Sequence, residues 1–110
     1  MRSLITVTIA LLIAFCGLTA QDYWEKTGDL PAGIVKALKY DEGKSRLVAG
    51  IDGRGVYISD DGGASWQESN DGLLSLLITD IEITSSGDYY AATNGGGVFK
   101  LSGGTGTWAN

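Results

Sequence analysis

The three tryptophans of this chain, Trp24, Trp66 and Trp108, stand 42 residues apart at each step. A fixed period of that length signals one supersecondary unit built more than once, so the chain must fold by setting like units beside each other. The repeat extends well beyond the tryptophans. Residues 47–57 moved by 42 fall on residues 89–99, with Ala49/Ala91, Gly53/Gly95, Gly55/Gly97 and Val56/Val98 identical and Asp52/Asn94 and Tyr57/Phe99 closely matched. Further upstream the offset is 43, pairing Leu30 with Leu73, Ile34-Val35 with Leu77-Ile78 and Leu38 with Ile81. One residue has been gained after Trp66 and one lost near Ser86, in turn-like segments where length changes are tolerated.

Within each unit the pattern reads as short strands. Residues 34–40 and 76–83 are the first, the most apolar and by expectation the most buried. Residues 46–51 and 88–93 are the second, 55–59 and 97–101 the third, and a fourth opens at each tryptophan. Asp52-Gly53 and Asn94-Gly95 lie between second and third strands, where a tight hairpin needs residues that accept positive φ. Seventeen glycines, one proline, five tyrosines and three tryptophans agree with tight turns between aromatic-rich strands. Four short antiparallel strands per unit of about 42 residues is the pattern of β-propeller blades. The expected fold is therefore all-β, a partial propeller with an outer strand at 24–27, one blade over 30–70 and an incomplete one over 73–110. A small independent β-sandwich or meander is the alternative.

The first twenty residues read differently. Met1-Arg2-Ser3 is a short basic start, residues 4–15 are an uncharged apolar run, and Cys16-Gly17-Leu18-Thr19-Ala20 ends in small residues. That is the layout of a secretory signal peptide cleaved near Ala20, which predicts a secreted or periplasmic protein and a mature domain over 21–110. A retained anchor is the alternative, but residues 4–20 are at the short edge for spanning a bilayer. Cys16 as a lipid-attachment site is opposed by the bulky Phe15 before it. The remainder carries seven basic and thirteen acidic residues, and this acidic balance argues against nucleic acid and anionic membrane as partners. It has neither cysteine nor histidine. That removes disulfides, the commonest zinc ligand and the Ser-His-Asp and Cys-His nucleophile arrangements.

Between the third and fourth strands of the first unit lies Ser59-Asp60-Asp61-Gly62-Gly63-Ala64-Ser65-Trp66. A carboxylate at Asp61 can accept hydrogen bonds from turn N–H groups, the glycines can take angles closed to other residues, and Trp66 can fold its ring beneath the loop. These residues resemble the Asp box, or BNR repeat, S-x-D-x-G-x-x-W, of bacterial sialidases, xyloglucan-degrading propellers, sortilin-type receptors and photosystem II assembly-factor-like proteins. The resemblance implies a propeller blade whose Ser59, Asp61, Gly63 and Trp66 are structural and lie at the rim, away from any catalytic centre. It covers residues 24–108. The second copy departs from it, because Leu101, Gly103 and Thr105 stand opposite Ser59, Asp61 and Gly63, and only Trp108 persists. The repeat-matched residues are Trp24, Gly53, Gly55, Gly95, Gly97 and Trp108.

No catalytic residue, metal site or cofactor is expected. Arg46 and Arg54, the only arginines after Arg2, cannot supply the arginine cluster of a sialidase site. The carboxylates of Asp41-Glu42, Asp60-Asp61, Asp80, Glu82 and Asp88 are not marked as a facing pair and read as a solvated surface. Asp60-Asp61-Gly62-Gly63 lacks the alternating ligands of a calcium loop, and the glycine clusters lack the helix N-terminus of a phosphate cradle. Residues 73–78 read as a buried inner strand. The tyrosines read as packing, with sugar stacking as the alternative.

Two blades fall short of the four to eight of closed propellers. The chain is read as part of a longer propeller, because its last strand looks interrupted; the alternative is that copies of it assemble into a ring, as some small sugar-binding lectins do. The functional expectation is a secreted, non-catalytic binding or scaffold module for a glycan or a protein, without nucleic acid and touching membrane only through its signal peptide. The alternatives are the start of a secreted glycoside hydrolase, sialidase- or xyloglucanase-like, with its catalytic residues beyond Asn110, and a photosystem II assembly-factor-like protein.

Overall fold

The computed structural model describes residues 24–110; the expected signal peptide at 1–20 lies outside the described residues. Seven strands follow in order: β1 (Val35–Asp41), β2 (Arg46–Ile51), β3 (Gly55–Ser59), β4 (Gln67–Glu68), β5 (Ile78–Ile83), β6 (Tyr89–Thr93) and β7 (Gly97–Leu101). They form two antiparallel sheets in sequential order, β1-β2-β3-β4 and β5-β6-β7. The fold is all-β, and neither sheet closes on itself. Strands β2, β3 and β7 have the limits expected from the sequence, and the other long strands differ by one or two residues. Among the described residues no helix is long and apolar enough to cross a membrane.

The repeat in the sequence is a repeat in hydrogen bonding. Ile51 pairs with Gly55 across a three-residue turn, and Thr93 pairs with Gly97 in the same way. The Asp52 N–H donates to the Ile34 carbonyl at 2.9 Å, and the Asn94 N–H to the Leu77 carbonyl at 2.8 Å. Ile58 pairs with Gln67 in the first sheet. Its counterpart Lys100 bridges to Ala109, so the fourth strand of the second sheet is present as a single antiparallel bridge.

Both sheets contribute to one core. Ala37, Val48 and Val56 of the first meet Ile78, Ile81, Tyr89, Ala91, Phe99 and Leu101 of the second, with Trp108 closing the edge. Strand alternation explains the division, because every second residue of β1, β2 and β3 faces the neighbouring sheet. Gly50 permits the approach: a Cβ there would stand 2.6 Å from Ile78 Cγ2 and 3.0 Å from Ile81 Cδ1. The sheets are also joined at their margins. The Gly55 N–H donates to the Leu76 carbonyl at 3.1 Å, and Asp52 bridges to Leu77.

The structure corrects three expectations. The first strand of the first unit is not its most buried, since Val35, Leu38 and Tyr40 are 46, 58 and 55% exposed. These residues lie on the face of the first sheet turned away from the second, and no sheet covers it among the described residues. Residues 73–77 are not a buried strand either. They form the crossover between sheets, with Leu74 82% exposed and strand β5 starting only at Ile78. Residues 24–27 form no strand, and Trp24 is 82% exposed.

Replacing Gly50 by Val tests the close approach. In a strand this change is otherwise favourable, because valine loses less backbone freedom and prefers the pleat. Here the added side chain meets Ile78, and we expect a loss of about 1–3 kcal/mol in urea unfolding. A variant at least as stable as the parent contradicts the packing described.

Candidate functional site

The turn 59–66 is organised around one carboxylate. Asp61 Oδ1 accepts from the Ser65 N–H at 2.8 Å and from the Ser59 hydroxyl at 2.8 Å. Asp61 Oδ2 accepts from the Ser65 hydroxyl. The Gly63 N–H donates to Ser59 Oγ at 2.8 Å, so the buried serine links both halves of the loop. Gly62 and Gly63 take φ of 72° and 96°, which an L side chain rarely adopts. Hydrogen bonds to the ionised form, led by the Ser65 hydroxyl and N–H, hold the Asp61 pKa down to about 2.

Trp66 extends this turn into the preceding segment. Its ring is buried, its Nε1 donates to Thr27 Oγ1 at 3.1 Å, and its N–H donates to Asp29 Oδ1 at 3.0 Å. The same arrangement recurs 42 residues on. Trp108 is buried, its Nε1 donates to the Ser69 carbonyl at 2.8 Å, and its N–H to the Asp71 carbonyl at 2.8 Å. Each buried tryptophan therefore sits on the segment that follows the tryptophan before it. Trp24, by contrast, is exposed.

The glycine-rich second turn is not plain. Asp88, from the start of the second hairpin, accepts from the Gly103 N–H at 2.8 Å, and this contact lowers its pKa first of all. A carboxylate from another strand thus stands in for Asp61. Arg46 ties the two turns together, with Nε 2.7 Å from Asp60 Oδ1 and Nη1 donating to the Gly104 carbonyl at 2.8 Å. Gly53, Gly55, Gly95 and Gly97 all have positive φ in the two hairpin turns. Gly55 has a second reason to lack a side chain, since Asn70 Oδ1 occupies the space and accepts from the Val56 N–H at 2.7 Å.

A different part of the surface is concave. The β1–β2 turn and the β5–β6 turn stand side by side and flank an open cleft of about 640 Å³. Tyr40, Glu42 and Lys44 line one wall, and Thr84, Ser85 and Ser86 line the other. Beneath Lys44 lies Asp41, only 5% exposed. Its Oδ2 accepts from the Tyr89 hydroxyl at 2.6 Å and from Lys44 Nζ at 3.4 Å, while Oδ1 accepts from the Lys44 N–H at 3.3 Å. The Tyr89 hydroxyl is the first cause of a lowered Asp41 pKa, and burial pushes Tyr89 itself up to about 12. Lys44 Nζ also lies 5.7 Å from the centre of the Tyr89 ring. This pair joins the two sheets across the floor of the cleft.

Sequence reasoning missed the cleft, because its walls come from two turns 43 residues apart whose repeat partners are unlike. Asp41 stands opposite Thr84, and Tyr89 opposite Leu47. The one available signal was that asymmetry, a carboxylate and a phenol interrupting the repeat at positions that face each other. Among the described residues no three His, Cys, Asp or Glu side chains converge as a metal would need. No family model, curated protein or solved structure matches the chain.

Two outcomes follow from these contacts. A group whose pKa is depressed on folding contributes stability above its ordinary value and loses it as pH falls through the folded value. For Asp61 that window runs from its ordinary 3.8 down to about 2. The parent should therefore lose thermal stability over this range by an increment that Asp61→Asn lacks, and equal slopes contradict the role of the carboxylate. Tyr89→Phe should cost about 1–3 kcal/mol in urea unfolding at neutral pH, since it leaves a buried carboxylate short of a donor. It should also raise the Asp41 pKa in an NMR titration, and an unmoved carboxyl resonance contradicts the assignment.

Proposed function

We propose that this chain is a secreted, non-catalytic binding module, a pair of Asp-box propeller blades, that holds a glycan in the cleft between the β1–β2 and β5–β6 turns. The observation that carries the reading is the composition of that cleft around a fixed floor. Sugars present many hydroxyls, which seek hydrogen-bond donors and acceptors side by side. Glu42, Lys44, Ser85 and Ser86 are exposed on the cleft walls and supply both kinds of group. The Asp41–Tyr89 bond fixes the floor, so ordering these turns costs the ligand little. The 42-residue repeat, the tryptophan contacts that recur with it and the carboxylate-centred turn at 59–66 support the blade reading. The basic start and apolar run of the first twenty residues support secretion.

The absence of chemistry in this reading rests on residue types. Asp41 is engaged by Tyr89 and Lys44 and held toward its ionised form, which suits an anchoring group and not a proton donor.

The experiment is a glycan array on the mature chain followed by calorimetric titration of the best ligand. Losing a hydrogen bond to a charged group costs about 1.5 kcal/mol, so Glu42→Ala should weaken binding about tenfold at unchanged thermal stability. Glycan affinity that is indifferent to Glu42, or an array without a hit from folded protein, overturns the reading.

A further inference from the structure

The charged groups around the cleft between the β1–β2 and β5–β6 turns are paired among themselves, with one exception. Lys44 Nζ lies 3.4 Å from Asp41 Oδ2 and 5.7 Å from the centre of the Tyr89 ring. It also reaches across to the opposite turn, since a Cβ on Gly87 would stand 3.2 Å from it. The cations of β1, β2 and β7 toward this end of the sheets are engaged as well. Lys39 pairs with Glu82 at 3.7 Å, Lys100 with Asp88 at 3.6 Å, and Arg46 with Asp60 at 2.7 Å. Each pair is neutral as a unit. Glu42 lines the cleft, is exposed, and has no ion-pair partner among the described residues. The cleft therefore carries one uncompensated charge, and it is negative.

We infer that the glycan held there is an amino sugar whose nitrogen is free and protonated, selected by Glu42, which rests on the cleft being the glycan site. A protonated amine beside Glu42 makes a charge-assisted hydrogen bond, stronger than one between neutral groups. Tyr40 lines the same cleft with its side chain 55% exposed, and the negative face of such a ring also attracts a cation. A neutral sugar would displace water from Glu42 and offer only hydroxyl donors in exchange. An acidic sugar fares worse. It needs a cation, and the lining of the cleft offers only Lys44. Drawing Lys44 away would leave Asp41, almost wholly buried, without its counter-ion. The chain as a whole adds to this selection, because its net charge of −5 repels anions and attracts cations.

The test is calorimetric titration of the mature chain with three oligosaccharides: a glucosamine oligomer, the same oligomer N-acetylated, and a galacturonic acid oligomer. Acetylation removes the positive charge and keeps the hydroxyls. The glucosamine oligomer should bind about tenfold more tightly than its acetylated form, the gain of a charged over a neutral partner. The galacturonic acid oligomer should bind most weakly. Raising the salt concentration should shrink the preference for the amine, because Glu42 faces water. Glu42→Gln keeps the length of the side chain and its capacity to accept, and removes only the charge. It should bring the first two oligomers to within about twofold of each other, at an unchanged melting temperature. Equal affinity of the wild type for these two oligomers overturns the inference. So does a preference that survives Glu42→Gln, or selection of the galacturonic acid oligomer. Equal affinities that both fall in Glu42→Ala would remove the amine specificity and leave the cleft standing as a glycan site. Folded protein that binds none of the three overturns the amine specificity too, and the wider array then decides the cleft.

Discussion

Gly50 lets the backbone of one sheet come within contact distance of Ile78 and Ile81 of the other, and the remaining structure depends on that closeness. The larger core belongs to neither sheet alone. Val48 and Val56 are sealed only because the second sheet lies over them, and Ile78, Ile81 and Phe99 only because the first does. Small sheets of this size are marginal when isolated, so burial across the contact has to supply what each lacks. The polar links come at its margins, where the geometry has already been fixed by packing. Asp41 and Tyr89 join the sheets at one end, and Gly55 with Leu76 joins them at the other.

The tryptophans extend the same logic along the chain. Trp66 rests on residues 27–29 and Trp108 on residues 69–71, so each unit is held by the tail of the one before. This explains why the tryptophan period is the most regular feature of the sequence, while the turn chemistry around it varies. A turn can be held by its own Asp61 or by Asp88 from a neighbouring strand, provided that a carboxylate faces the N–H groups. The ring beneath the turn has no such substitute. With no disulfide available, these contacts are what keep the long turns in place.

The sequence displayed the elements more clearly than their surroundings. Strands β2, β3 and β7 and the glycine turns between them were legible because alternation and positive-φ residues are local signals. Burial was not legible for Val35, Leu38, Leu74 or Trp24. An apolar residue is covered only when another element arrives, and that depends on what lies next to the unit and not on the unit's own pattern. The cleft was hidden for a related reason. Asp41 and Tyr89 meet because two unlike turns are brought together, and comparing equivalent positions draws attention to what is shared. Asp41 read as a solvated carboxylate, yet it is buried beneath Lys44 because the Tyr89 hydroxyl and Lys44 supply the partners that water would.

If the two sheets are stable only through each other, they should unfold as one body. Amide hydrogen exchange across the chain measures this directly. The account predicts that the amides of Val48 and Val56 exchange with the same opening free energy as those of Ala91 and Phe99, and that all four respond together when denaturant is added. One sheet retaining protection under conditions in which the other has lost it would contradict the shared core on which the whole description rests.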